Sequence, residues 1–227
     1  VAREDLPVAR PLRVGVLLSG SGRTLANFLR RIDSGDLPAR IVAVASDRPR
    51  VRGLEIAREA DLPTRVFEKK DHPDRPARDA SMLGWLRDHD PQVLCLAGYL
   101  SLLDLGATGG IPVLNIHPAL LPRFGGKGYW GERVHRAVLE AGERVSGATV
   151  HLVSPRYDEG EILARIEVPV LPGDDPGALA ARVFAAECEL YPRVLRWLAE
   201  GRLSVVGGRA VGEEGAWEAP TLQVETA

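Results

Sequence analysis

The 227-residue sequence reads as one α/β domain, with a mostly parallel central sheet and helices on both faces. Three observations point there. Short apolar runs without alternation, at 13–18, 41–45 and 92–97, suit strands buried on both sides. A break rich in Gly, Ser, Asp or Pro follows the first two. Segments with apolar residues at helical spacing alternate with the strands, as in repeated strand–helix units.

The elements follow in order. Residues 1–12 mix charge and proline and read as an N-terminal arm. Residues 13–18 form the first strand, and Ser19-Gly20-Ser21-Gly22 breaks it. Leu25, Phe28, Leu29 and Ile32 then mark a helix to Asp33. A strand at 41–45 ends in Ser46-Asp47-Arg48-Pro49, and a helix at 53–60 leads to a short strand at 63–67. Residues 68–76, charged and with two prolines, read as a surface loop. A helix at 77–89 puts Met82, Trp85 and Leu86 on one side and precedes the strand at 92–97. The next strand, 111–117, must stop at Pro118, which cannot donate a ladder hydrogen bond. A glycine-rich loop at 123–131 precedes a helix running to about Ala141. The alternating run 149–153 pairs with 162–168 across a loop holding Asp158. Residues 176–199 form one long helix, with proline at its start and Gly201 beyond its end. Residues 203–206 read as a last strand, and 207–227 as an edge hairpin and frayed tail.

The bulk numbers narrow the function. Hydrophobic residues make up 45% of the chain and charged residues 26%, ordinary for a globular protein. Lys and Arg total 29 against 31 Asp and Glu, so no basic excess points to nucleic acid or an anionic membrane. No apolar run is long enough to span a bilayer. Cys95 and Cys188, far apart in apolar surroundings, make neither a zinc site nor an expected disulfide, and no metal is expected. The chain is expected to be cytoplasmic, a monomer or homodimer acting on small molecules.

Asn115 and His117 carry the chemistry. Two apart on an extended strand, they share one face and sit at its C-terminal end, where open α/β sheets bind ligands. Asp158 is a candidate carboxylate partner. No nucleophile accompanies them; there is no Gly-x-Ser-x-Gly elbow. An amide and an imidazole can bind a developing oxyanion, and a carboxylate can hold the imidazole charged. That suits attack of a substrate's own amine on a carbonyl carbon. Gly20-Ser21-Gly22-Arg23-Thr24 opens a helix and offers an anion site, although a tight turn needing glycine explains the same letters. Leu25 stands where a dinucleotide fingerprint wants glycine, and there is no Walker lysine. Glu187 and Arg75 read from local pattern as solvated surface, His135 and His151 as structural, His72 and His89 as exposed.

Asn115-Ile116-His117-Pro118-Ala119-Leu120-Leu121-Pro122 resembles the signature of the folate-dependent formyltransferases. Ser46-Asp47-Arg48-Pro49, Leu96-Ala97-Gly98-Tyr99, Gly147-Ala148-Thr149-Val150-His151 and Tyr157-Asp158-Glu159-Gly160 extend the likeness over about 13–206. The resemblance implies a Rossmann-like domain that passes a formyl group from 10-formyltetrahydrofolate, as co-substrate, to the amine of glycinamide ribonucleotide. It implies Asn115, His117 and Asp158 as the catalytic group, with His117 held protonated by Asp158. It implies that Gly20, Ser21, Gly22, Arg23, Thr24 and Glu187 bind the ribonucleotide, with its phosphate resting on Gly22-Arg23-Thr24. Folate would lie against Leu100, Ser101, Leu102, Leu103, Asn115, Val153 and Asp158, with Arg75 near its polar end. Arg23 and Thr24 stand where the family usually has serine and asparagine, and Ser101 where it often has arginine. Residues 207–227 are too few, and not basic enough, for a tRNA-reading domain, and 1–12 are too few for a regulatory one. A sugar-nucleotide N-formyltransferase and a non-catalytic folate or nucleotide binder are the alternatives.

Overall fold

The computed structural model describes residues 11–213, 215–216 and 218–223. Most of the expected arm therefore lies outside the described residues. The first strand, β1 (Leu12–Leu18), begins one residue earlier than its apolar pattern indicates. Then come α1 (Arg23–Asp33), β2 (Ala39–Ser46), α2 (Arg52–Glu59), β3 (Thr64–Val66) and α3 (Arg75–Arg87). They are followed by β4 (Val93–Leu96), β5 (Val113–His117), α4 (Glu132–Glu140), β6 (Val145–Leu152), β7 (Ile162–Pro169) and α5 (Pro176–Ala199). The C-terminal part holds β8 (Leu203–Val206), β9 (Arg209–Gly212), β10 (Gly215–Ala216) and β11 (Thr221–Gln223).

An eight-stranded sheet runs β11-β7-β6-β5-β4-β1-β2-β3. All its neighbours are parallel except β5 with β6 and β6 with β7. The chain starts at β1, moves outward through β2 and β3, then crosses to β4 and β5 on the other side. The strand order thus reverses between β1 and β4, and ligands bind at the carboxyl ends of strands at such a reversal. On one sheet face Val14, Val16 and Leu18 pack with Leu25, Phe28, Leu54, Val183 and Leu190 from α1, α2 and α5. On the other, Leu17, Ala43 and Leu94 pack with Met82, Leu83 and Leu86 of α3.

Three local departures from the sequence pattern have physical causes. The helix expected at 77–89 begins at Arg75, because the Asp74 carboxylate accepts the Ala77 N–H at 2.8 Å and Pro76 occupies the first turn. The strand expected at 149–153 starts at Val145; it passes β7 so closely that a side chain at Gly147 would strike the Ile166 carbonyl oxygen. The expected frayed tail is instead ordered where it is described. Gly207 and Gly208, with φ of 59° and 77°, turn β8 back into β9, and β10 pairs with β9. Strand β11 then rejoins the main sheet parallel to β7, with the Arg165 N–H donating to the Pro220 carbonyl at 2.9 Å.

Helix α5 contains Pro192, which cannot donate to the carbonyl of Cys188 one turn earlier. That carbonyl instead accepts from Asn27 Nδ2 of α1 at 2.9 Å and from Arg31 at 3.3 Å. A helix interruption thereby becomes an inter-helix tie. Farther along, Tyr191 donates to the Leu114 carbonyl at 2.9 Å, fixing α5 beneath the strand that ends in the Asn/His pair.

Candidate active site

Strand β5 puts Asn115 and His117 on the face shared with Val113, and antiparallel pairing sets Asn115 opposite His151 and His117 opposite Thr149. Four polar side chains therefore cluster where β5 meets β6. Thr149 serves the backbone: its Oγ1 accepts from Leu121 N–H and donates to the Ala119 carbonyl, holding the turn after Pro118.

Asp158 completes the cluster from the loop between β6 and β7, at φ 57°, a conformation aspartate tolerates better than most residues. Its Oδ2 lies 3.5 Å from His117 Nδ1 and its Oδ1 3.6 Å from His151 Nε2. The Gly126 N–H donates to Asp158 Oδ2 at 2.9 Å. In the same loop, Gly160 passes so near the Leu152 carbonyl oxygen that a side chain has no room.

The hydrogen bonds assign tautomers. His117 Nε2 is 2.7 Å from the Phe124 carbonyl oxygen, which only accepts, so Nε2 carries hydrogen. Nδ1, facing Asp158, is then where a second proton is gained or lost. His151 Nδ1 likewise donates to the Leu152 carbonyl at 2.9 Å. In its neutral form Nε2 accepts from Asn115 Nδ2 at 3.1 Å, leaving the amide a second N–H for a ligand.

Burial drives the His117 pKa below its ordinary value of 6.5, and the Asp158 charge and the Phe124 hydrogen bond oppose this only in part. In the ligand-free protein desolvation outweighs the carboxylate, so burial works against the protonated ring that the resemblance implies. Burial would raise the Asp158 carboxyl, but His151, His117 and the Gly126 N–H together hold it below its usual range.

A cavity of about 730 Å³ opens over this group. Asn115, His117 and Asp158 line it together with Arg23, Arg48, Lys127, His135, Phe184 and Glu187. Of the glycine-loop residues assigned to phosphate, only Arg23 reaches the wall. Its guanidinium sits 4.0 Å over the Phe184 ring. Gly20, Ser21 and Thr24 do not line the cavity, and Gly22 serves geometry: it caps α1 at φ 72°, pressed against the Gly53 backbone. Glu187 is no solvated helix residue; desolvation pushes its carboxyl up to about 8, with Arg23 pulling it back in part.

A second, smaller cavity of about 50 Å³ adjoins the first and shares Tyr99, Asn115, Tyr157 and Asp158 with it. Of the residues expected at folate, Ser101, Leu102, Leu103 and Val153 line it, while Leu100 lines the larger cavity. Ser101 donates to Asp47 at 2.8 Å. Arg75 lines neither cavity; it is exposed at the start of α3.

Sequence reading missed several contributors. His151 is no bystander, since it binds Asn115 and faces Asp158; its opposite number in the β5–β6 register was the available signal. His135 is buried in the cavity wall. The Phe124 carbonyl and Gly126 N–H left no signal in residue type. His72 and His89 are half-buried, their rings against Phe67 and Trp85. Among the described residues, no group of three or more His, Cys, Asp or Glu could hold a metal ion. Nor is any described helix long and apolar enough to cross a membrane.

A family model described as formyl transferase matches residues 12–195. The chain is 38% identical over 197 residues to the chloroplastic phosphoribosylglycinamide formyltransferase of Arabidopsis thaliana, covering 86% of this chain and 68% of that protein. It is 39% identical over 208 residues to the phosphoribosylglycinamide formyltransferase of Mycobacterium tuberculosis, covering 90% and 93%. The crystal structure of glycinamide ribonucleotide transformylase 1 from Symbiobacterium toebii superposes with a TM-score of 0.82 at 38% identity, over 95% of this chain and 99% of that one. With the match running from β1 into α5 and taking in Asn115, His117 and Asp158, the chain belongs to the formyl transferase family.

Proposed function

We propose that the chain is a phosphoribosylglycinamide formyltransferase of purine biosynthesis, taking its formyl group from 10-formyltetrahydrofolate and working in the cytoplasm. The observation that carries this is the amide–imidazole–carboxylate group at the end of β5, set where a large cavity meets a small one. The relatives named above supply the substrate pair.

In this reading the ribonucleotide fills the larger cavity with its phosphate toward Arg23, and folate enters along Leu102, Leu103 and Val153. The amine attacks the formyl carbon. A C–N bond forms, and the carbonyl π pair moves onto oxygen. That oxygen meets the free N–H of Asn115 and a proton on His117 Nδ1, which Asp158 favours. Collapse breaks the bond to the folate nitrogen, and the proton shed by the amine passes to that nitrogen, giving tetrahydrofolate. Negative charge developing on that oxygen favours the protonated ring, so the imidazole is charged as the intermediate forms rather than at rest.

A spectrophotometric assay of folate deformylation, run with glycinamide ribonucleotide and separately with an amino-sugar nucleotide, tests the proposal. Turnover with the ribonucleotide is expected. Turnover with the sugar nucleotide alone would reassign the acceptor, and no turnover with either would make the chain a binder.

A further inference from the structure

His135 belongs to no role assigned above. It sits on α4 with 4% of its surface exposed, in the wall of the larger cavity. The two other histidines of the site are engaged: His117 with the Phe124 carbonyl, His151 with Leu152 and Asn115. Neither ring nitrogen of His135 makes a hydrogen bond among the described residues, and Nδ1 is sealed from solvent. Of the buried side-chain polar atoms that lack a partner, the others belong to Arg31, Asp47, His89 and Ser146, none of which lines this cavity. Nε2, the ring nitrogen that is not sealed, is open to a partner from whatever fills the cavity.

From this we infer that His135 is a binding residue for the amine substrate, hydrogen-bonding an uncharged hydroxyl or amide of the glycinamide ribonucleotide through its accessible ring nitrogen. The inference rests on the function proposed above. Two observations choose the ligand and the part of it. Of the residues that suit folate, Ser101, Leu102, Leu103 and Val153 line only the smaller cavity, which His135 does not touch, and Leu100 lines the larger. Burial, and next the nearby His117, push the His135 ring below its ordinary pKa, so it is neutral and suited to a neutral partner. Arg23, Arg48 and Lys127 line the same cavity and answer the phosphate. Helix α4 packs on α5, and His135 lines the same cavity as the α5 residues Phe184 and Glu187.

Isothermal titration of the full chain with glycinamide ribonucleotide, and separately with tetrahydrofolate, tests this on wild type, His135→Leu and His135→Gln. The leucine variant is expected to bind the ribonucleotide about tenfold more weakly, the scale of one lost hydrogen bond. Glutamine, which keeps a donor and an acceptor, should restore most of that, with tetrahydrofolate affinity unchanged throughout. Ribonucleotide affinity within twofold of wild type in His135→Leu overturns the assignment, as does equal weakening of both ligands. Should the leucine variant not fold, the wild-type ring decides: His135 NMR signals that move with the ribonucleotide but not with tetrahydrofolate support the role, and signals that ignore the ribonucleotide overturn it. Wild type that fails to bind the ribonucleotide at all overturns the parent function instead.

Discussion

His117 is poised between opposing influences. Its Nε2 hydrogen is committed to a carbonyl, so every change of charge happens at Nδ1, 3.5 Å from Asp158. Burial lowers the ring's pKa and the carboxylate raises it, with burial ahead. In the ligand-free protein, His117 should titrate below 6.5 by NMR. In Asp158→Asn the titration should move lower still, because desolvation is then unopposed. An unchanged midpoint in that variant would disconnect the two residues. The same substitution should reduce kcat by about 10²–10⁴, the usual contribution of a positioned acid.

At the level of elements, the glycine turn after β1 is a packing device before it is a binding one. Gly22 stands at φ 72°, and a β-carbon there would press into the Gly53 backbone, which cannot swing aside as a side-chain tip would. Gly22→Ala should therefore destabilise the fold by about 2 kcal/mol, combining the left-handed penalty with displacement of α2, read as a lower urea midpoint. The letters around this turn foretold strand, turn and helix but not which residues reach the ligand. Only Arg23 lines the cavity, and Gly22 is turned against α2. The same boundary between legible and illegible recurs elsewhere. Alternation and a terminal proline disclosed the Asn115/His117 face. Which loop residues fold over that face depends on backbone paths that residue types do not encode, so the Phe124 carbonyl and the Gly126 N–H stayed hidden. The antiparallel register that sets His151 against Asn115 was implicit in pairing 149–153 with its neighbours. A histidine on an alternating strand is nonetheless ordinarily a core residue, and pattern alone reads it so. The hairpin after Gly207 was legible in its glycines, but the strand that rejoins the main sheet was not, because low apolar density says little about a segment held by ladder bonds to β7.

For the molecule as a whole, the site levies a measurable charge on stability. Glu187 titrates near 8 in the folded protein against an ordinary 4.5. Between those values the folded chain binds more protons than the unfolded one, so the contribution of Glu187 to stability falls as pH rises from about 4.5 to 8. Glu187→Gln removes this dependence. Its melting temperature should decline less than that of wild type between pH 5 and pH 8, and equal slopes would show that Glu187 is freely hydrated.

The supports of His117 and Asp158 at Phe124 and Gly126 are peptide groups. A substitution at Phe124 leaves its carbonyl in place, whereas alanine would strike Leu121 from position 125 and be strained at position 126, where φ is 93°, so a side-chain scan there reports packing and backbone strain rather than loss of the donor. Only replacing the 125–126 amide with an ester removes the donor to Asp158.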